Sequence, residues 1–502
     1  MESDTEFLPA TGNQNENLMT AHDTETRPRL RKAIGGLGFF CLAFGSMIGV
    51  GWITALDDWF KNAGPGGAMI AFVAGGLLML LIGLCYAELT PMLPVTGGEV
   101  AYAYKAHGTG AAFLVGWFLA FGYLAISAFE AVSVGMVLAY LFPVLNAWPL
   151  YEIQGSTLYL PHLLLGLGFT VLIMWINYRG VAVAMGVQVL LTGLLLVCTA
   201  LFVAAGLIYG EAGNLKPALG GLEEMAPGGT WKGILVVFVT VPFWFVGFDT
   251  IPQAAEERAE GQLVRRLGIY ILLAIVASVL FYVLVMLAAG MAAPWQETVK
   301  VEDLPTAHAF ESAFESPLLA NLVLTAGLIG LLTSWNGFFL AGTRVLFALG
   351  RGRIIDRRFG RVDSRFGTPT RAILLSGLVT ALAACLGRGA LLAFIDVGSF
   401  CISVAFLGVA LSLLRLRRTS PELSRPYRLR AGPLVAGLAA AGSLFILVVQ
   451  VIPQSPAQLD WPLDWAILLA LCLCGLLFWM LGATQRRQTD EPQRAALILD
   501  EE

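Results

Sequence analysis

This sequence predicts an all-α, polytopic membrane protein, and three observations carry that prediction. The first is composition: of 502 residues, 57% are hydrophobic and 13% charged, and the mean hydropathy of +0.75 lies far outside the range of soluble globular domains. The second is run length. A bilayer-spanning helix needs about 20 mostly apolar residues, and twelve such runs are legible, at 33–56, 66–90, 111–143, 162–178, 180–210, 233–256, 266–292, 317–349, 370–387, 389–414, 432–452 and 462–483. The third is a pair of interruptions. The first run breaks at GSMIGVG, where Gly45, Gly49 and Gly51 crowd a hydrophobic helix, and the sixth reads FVTVPFWFVGFDTIPQAAEE, punctuated by Pro242, Gly247 and Pro252. Runs one and six are five helices apart, the spacing of an inverted five-plus-five repeat.

The first run is preceded by a polar segment, acidic up to Glu25 and then basic, with no apolar signal-peptide core. We expect a disordered cytoplasmic tail (1–32), a first five-helix repeat (33–210), an extracellular loop (211–232), a second repeat (233–414), a basic cytoplasmic loop (415–431), two additional helices (432–483) and a cytoplasmic tail (484–502). The joint between runs four and five is only the short stretch around Arg179. Placing both termini inside puts 26 of the 31 Lys and Arg residues on the cytoplasmic side, which the positive-inside rule favours. A plasma or bacterial inner membrane is the expected location. The net charge of −4 arises partly from acidic outer loops such as 302–315, where a solvated loop is the simpler reading than a cation-gathering mouth. The seven cysteines all fall in apolar runs and read as small buried hydrophobes.

An unpaired backbone group in hydrocarbon is unfavourable by several kcal/mol, so a broken helix persists only against protein or a hydrated cavity. The glycines of the first run are therefore read as exposing backbone to a ligand. From about residue 33 to 483 the chain resembles the amino acid–polyamine–organocation superfamily of secondary transporters, which share the leucine-transporter type of fold. The resemblance is carried in order by GSMIGVG, by YAELTPMLPVTGGEVAYAYKAHG (86–108), by FVGFDTIPQAAEE (245–257), similar to cationic amino acid transporter-like members, by AGTRVLFALGRGRIIDRRFGRVDSRFGTP (341–369) and by RPYRLRAGP (425–433).

The resemblance implies that backbone around Ser46, Met47, Gly49, Val50 and Gly51 holds a substrate carboxylate, and that the stretch from Phe243 and Trp244 through Gly247 to Asp249 holds the amine. Half-helix ends suit both, since N-termini attract anions and C-terminal carbonyls attract cations. Val50 departs from the Gly-Ser-Gly that many amino acid-transporting members resemble, and Trp52 stands where a smaller aliphatic residue is more usual; both leave an amine without a carboxylate open as substrate.

Each candidate also has a plainer reading. Trp52 lines the site or packs as an interfacial residue; Phe243 and Trp244 form an aromatic wall for a cation or simply core. Asp249, an ionisable group at mid-membrane, binds an amine or proton, or caps the broken helix. Glu130 on the third helix has no basic neighbour in sequence, so it finds a distant partner or carries a proton. Glu88 and Arg344 form inner-gate pairs or snorkel to the interface. Thr333 and Ser334 offer oxygens to sodium or bond their own helix. The lysine that some proton-coupled relatives carry on the fifth helix is absent from 180–210.

No metal-binding, nucleophile–base or paired-carboxylate constellation indicates an enzyme, and the four histidines are scattered. A non-transporting sensor is expected to carry a sizeable extra domain. The expected function is thus a secondary transporter moving amino acids by alternating access, with helices one, two, six and seven rocking against three, four, eight and nine; the alternative is an amine or polyamine transporter. Expected partners are a small-molecule amino acid or amine and membrane lipid, with no nucleic acid and no cofactor beyond coupling to H+ or Na+.

Overall fold

A computed structural model describes residues 27–222, 229–300, 317–455 and 457–500; the acidic stretch 302–315 and residues 1–26 of the expected tail lie outside the described residues. Among the described residues, eleven helices are long and apolar enough to cross a membrane, and a shorter apolar helix, Thr370–Ala384, supplies the remaining expected run. Away from the breaks in helices one and six, their backbone groups are satisfied within each helix, the condition for spanning lipid.

Helix one runs Gly36–Met47, opens at 48–50, and resumes as Gly51–Thr54. It does not stop at residue 56 as expected. The chain stays helical from Leu56 to a kink at Gly64 (φ 70°), from which helix two reaches Met92. Asp57, Asp58 and Lys61 suggest a loop in sequence, yet Lys61 pairs with Asp57 one turn earlier at 2.8 Å and keeps the turn helical. Helix six runs Thr230–Phe245, opens around Gly247, and resumes only as Thr250–Gln253 followed by the short turn Ala255–Glu257. The others are helix three (Thr109–Leu141), four (Leu160–Tyr178), five (Val181–Tyr209), seven (Arg265–Ala292), eight (Pro317–Arg351), nine (Thr370–Ala384), ten (Leu391–Thr419), eleven (Gly432–Val451) and twelve (Leu463–Leu481).

The broken helices form the centre. In helices one and six, 78% of the most apolar window is buried, against 17% in helix twelve, whose Leu469, Leu473 and Leu477 point outward as lipid-facing residues would. Helix two packs on six and seven, and helix three packs on four, eight, nine and ten, while helix one touches seven, eight and five. Cys472 and Cys474 are exposed on helix twelve, which corrects the expectation that every cysteine is buried.

Two connections have structure that the sequence reading did not assign. Between helices three and four, Pro149–Ile153 pairs antiparallel with Ser156–Tyr159. The turn residues Gln154 and Gly155 both have positive φ (48° and 73°), as a two-residue hairpin turn requires. Between helices two and three, Gly98–His107 is a buried helix. On that same face the chain ends meet. Of the expected disordered tail, Leu30 is buried, and Arg27 lies 3.2 Å from Asp500 at the end of the docked helix Glu491–Leu499, while Arg29, Arg31 and Lys32 are exposed. We refer to this side as the terminal face and to the other as the hairpin face.

Candidate functional site

The two breaks touch. Gly247, at φ 133°, lies so near helix one that a Cβ there would stand 2.7 Å from the Met47 nitrogen. Any other residue would be strained in backbone and blocked in space. From helix seven, the Tyr282 hydroxyl lies 3.0 Å from the Met47 carbonyl and 3.2 Å from the Trp244 carbonyl. These are carbonyls at the ends of the two leading half-helices, which have no acceptor role left within their own helix. One side chain thereby serves both breaks.

Between the breaks is a cavity of about 20 Å3, room for roughly one water. Helix one contributes Ser46, Met47, Gly49 and Gly51, helix six Phe243 and Trp244, helix three Glu130 and helix eight Ser334. The structure therefore gathers these expected residues into one wall. It adds Ile126, Phe129, Tyr282 and Phe338, which sequence reasoning missed. A signal existed for three of them: Ile126 lies one turn before Glu130 and three residues before Phe129, and Phe338 is one turn beyond Ser334.

The crowded glycines have a purpose different from the expected one. A Cβ at Gly49 would stand 2.4 Å from a Glu130 carboxyl oxygen, and one at Gly51 would stand 2.1 Å from the Trp244 ring. They admit a carboxyl and an indole from other helices to the break. Glu130 accepts hydrogen bonds from the Ser334 hydroxyl and the Val50 N–H, and its Oε2 has no protein partner. The second half of helix one begins here, so its first N–H groups are unpaired within the helix and its positive dipole end faces the carboxyl. Trp244 is fixed by its indole N–H donating to Thr240 Oγ1 at 3.0 Å and by an edge-on contact with Phe243 at 5.1 Å.

Four expected substrate residues are not in the wall. Val50 turns its side chain toward helix eight, near Gly327. Trp52 is fully buried, stacked on Phe202 at 5.0 Å and edge-on to Phe281, so it is core rather than an interfacial residue. Gly247 forms the contact between breaks. Asp249 caps its own break: Oδ1 accepts the Gly247 N–H at 2.8 Å. Asp249 is not among the residues lining the cavity.

The gating candidates resolve into two separate pairings. Arg344 donates two hydrogen bonds to Glu257, at 2.8 and 2.9 Å, and both side chains are buried. Glu88 neither snorkels nor meets Arg344. It accepts from Arg417 and from the Leu429 N–H, with Arg425 3.2 Å away. A third group joins Glu256 to Arg351 at 2.8 Å and to Arg27 at 3.1 Å. Burial opposes charge on Glu256, but the two guanidinium groups hold its carboxyl below the ordinary value. Thr333 donates to the Gly330 carbonyl of its own helix at 2.8 Å, so its hydroxyl follows the plainer reading.

Two broken helices that meet around a buried cavity, with ion pairs joining helix eight to the end of helix six, form the centre of a membrane bundle, and the relatives of this chain make it a secondary transporter. The sequence profile of a family described as amino acid permease matches residues 34–478, and the chain belongs to that family. It is 27% identical to a branched-chain amino acid permease of Bacillus subtilis, over 85% of this chain and 89% of that one. It is 26% identical to a methylthioribose transporter of the same organism, over 83% and 88%. A vacuolar cationic amino acid transporter of Arabidopsis thaliana is 29% identical, over 78% of this chain and 64% of that one. The protein is an integral membrane permease that moves amino acids and is not an enzyme.

Proposed function

We propose that this permease carries amino acids with apolar side chains, in symport with protons, and that the terminal face is cytoplasmic. The observation that supports the substrate reading is Glu130. It is the one charged residue in a wall otherwise made of rings, aliphatic groups and hydroxyls, and one of its oxygens has no protein partner. A buried carboxylate without a cation is unfavourable, and the α-ammonium of an amino acid would neutralise it. The substrate carboxylate would meet the positive end of the second half of helix one, where it would compete with Glu130 for the Val50 N–H, and an apolar side chain would lie against Ile126, Phe129, Phe243 and Phe338. The branched-chain permease among the relatives agrees with that side-chain class. Protons are favoured over sodium because Thr333 already bonds its own helix and Ser334 faces Glu130. The cytoplasmic assignment of the terminal face rests on the distribution of Lys and Arg.

The cavity holds only about one water, so binding requires the walls to part. Thermal-shift screening of the purified protein against amino acids, amines and polyamines, with sodium and pH varied, tests the proposal. A ligand at 100 times its dissociation constant stabilises the fold by about 2.7 kcal/mol. The expected result is stabilisation by apolar amino acids that Glu130→Gln abolishes. Stabilisation by amines alone would replace amino acids with amines as substrate, and stabilisation that persists in Glu130→Gln would remove Glu130 from the site.

A further inference from the structure

On the terminal side of the breaks lies a second set of buried polar side chains that the central site does not use. Asp249 presents Oδ1 to the Gly247 N–H and leaves Oδ2 without a partner. Glu99, in the first turn of the helix Gly98–His107, is also fully buried; its Oε2 accepts from the Gln253 amide, and its Oε1 has no partner. Gln253 spans the two, its Nε2 also lying 3.5 Å from the Asp249 carbonyl, and its own Oε1 is buried and unpartnered. Tyr86 of helix two directs its buried hydroxyl at Glu99.

The titratable groups facing the pair are all acids: Tyr86 from helix two, Tyr102 beside Glu99 on the short helix, and Tyr123 from helix three, which donates to the Asp249 carbonyl at 3.3 Å. The arginines of helix eight on this side, Arg344 and Arg351, are held by Glu257 and Glu256. Two neighbouring carboxylates in a dry environment with no cation cannot both ionise.

We propose that Glu99 and Asp249 together hold one exchangeable proton while the terminal face is closed, and release it when the second half of helix six parts from the Gly98–His107 helix. The inference rests on the proton-symport reading above. The proton sits on an oxygen of one of the two carboxyls. On parting, water enters, the O–H bond ionises, and a hydrated proton leaves two separated carboxylates, with nothing oxidised or reduced. Burial, followed by the Asp249 charge, raises the Glu99 carboxyl above its ordinary value, in keeping with this.

The test uses the full-length protein in two settings. In detergent, infrared difference spectra between about pH 6 and pH 9 should show a carboxylic C=O band that disappears as pH rises. The melting temperature should fall over the same window, because a group whose folded pKa is raised stabilises fully below its unfolded value and loses that effect as pH rises through the folded one. Glu99→Gln should remove both signals; Tyr86→Phe, which keeps the acid, should shift the band without abolishing it. In liposomes, a radiolabelled mixture of the standard L-amino acids should accumulate up to about tenfold under an inward gradient of one pH unit, and Glu99→Gln should not respond to the gradient. A band and pH slope unchanged in Glu99→Gln, or accumulation driven by sodium alone, overturns the proposal. A Glu99-dependent band in a protein that moves no amino acid supports the proton site and overturns the transport reading instead.

Discussion

The two faces of the molecule handle charge differently. On the terminal face, Arg344–Glu257, Arg351–Glu256 and Arg27–Glu256 join segments far apart in sequence, and the first two tie helix eight to the end of helix six. On the hairpin face, a cavity of about 880 Å3 reaches Ala131 and Val132, the residues following Glu130. Its charged wall includes Asp57 and Lys61, a pair within a single helical turn. Long-range pairs tie helices together across the bundle, whereas a local pair constrains only its own helix. The difference places the conformation as shut toward the terminal face and hollow toward the hairpin face.

Four substitutions sharpen or break this contrast. Arg344→Ala leaves Glu257 buried without its partner and should destabilise the fold by about 3–5 kcal/mol, seen as a lower denaturation midpoint and faster thiol labelling of a cysteine placed at Thr96. A loss under about 1 kcal/mol would mean that the terminal seal does not rest on this pair. Gly51→Ala drives a methyl into the Trp244 ring and should destabilise by about 1–3 kcal/mol while removing ligand-induced thermal shifts. Normal binding would show that the indole can yield. Third comes pH. Glu256 is held below its ordinary value, so its contribution is present above the unfolded pKa and is lost as pH falls through the folded one. The melting temperature should drop as pH falls below about 4.5, the ordinary value of the carboxyl, and Glu256→Gln should flatten that slope; an unchanged slope would assign the acid sensitivity elsewhere. Lys61→Ala is the smallest, at about 0.3–0.5 kcal/mol, and a larger loss measured by denaturant titration would show that the hairpin face is also held by charge.

The fold was legible because long apolar runs and glycine–proline interruptions survive in one dimension. The site was legible where neighbours in space are neighbours along a helix. Ser46 to Gly51 and Phe243 with Trp244 lie on the broken segments themselves, and Glu130 stands out as a lone acid in hydrocarbon. Asp249 sits mid-run in sequence, but the half-helix after the break is only Thr250–Gln253, and its carboxyl bonds the Gly247 N–H of its own break. Its neighbour Glu99 lies in a segment that reads as a loop. Val50 and Trp52 looked unusual beside the superfamily pattern, yet the turn of the backbone at the break points both away from the cavity. Tyr282 carried no signal, because a tyrosine within an apolar helix is indistinguishable from packing until the carbonyls opposite it are known.

That tyrosine bears on timing. A hydroxyl has one hydrogen, and here it lies between carbonyls belonging to both interrupted helices. Neither interrupted segment can swing while the other stays put without abandoning this shared contact, which biases the cycle toward a concerted step over a sequence of independent hinges. In single-molecule recordings with fluorophores on helices one and six, the wild type should move between levels as one event, and Tyr282→Phe should allow the two to drift apart in time.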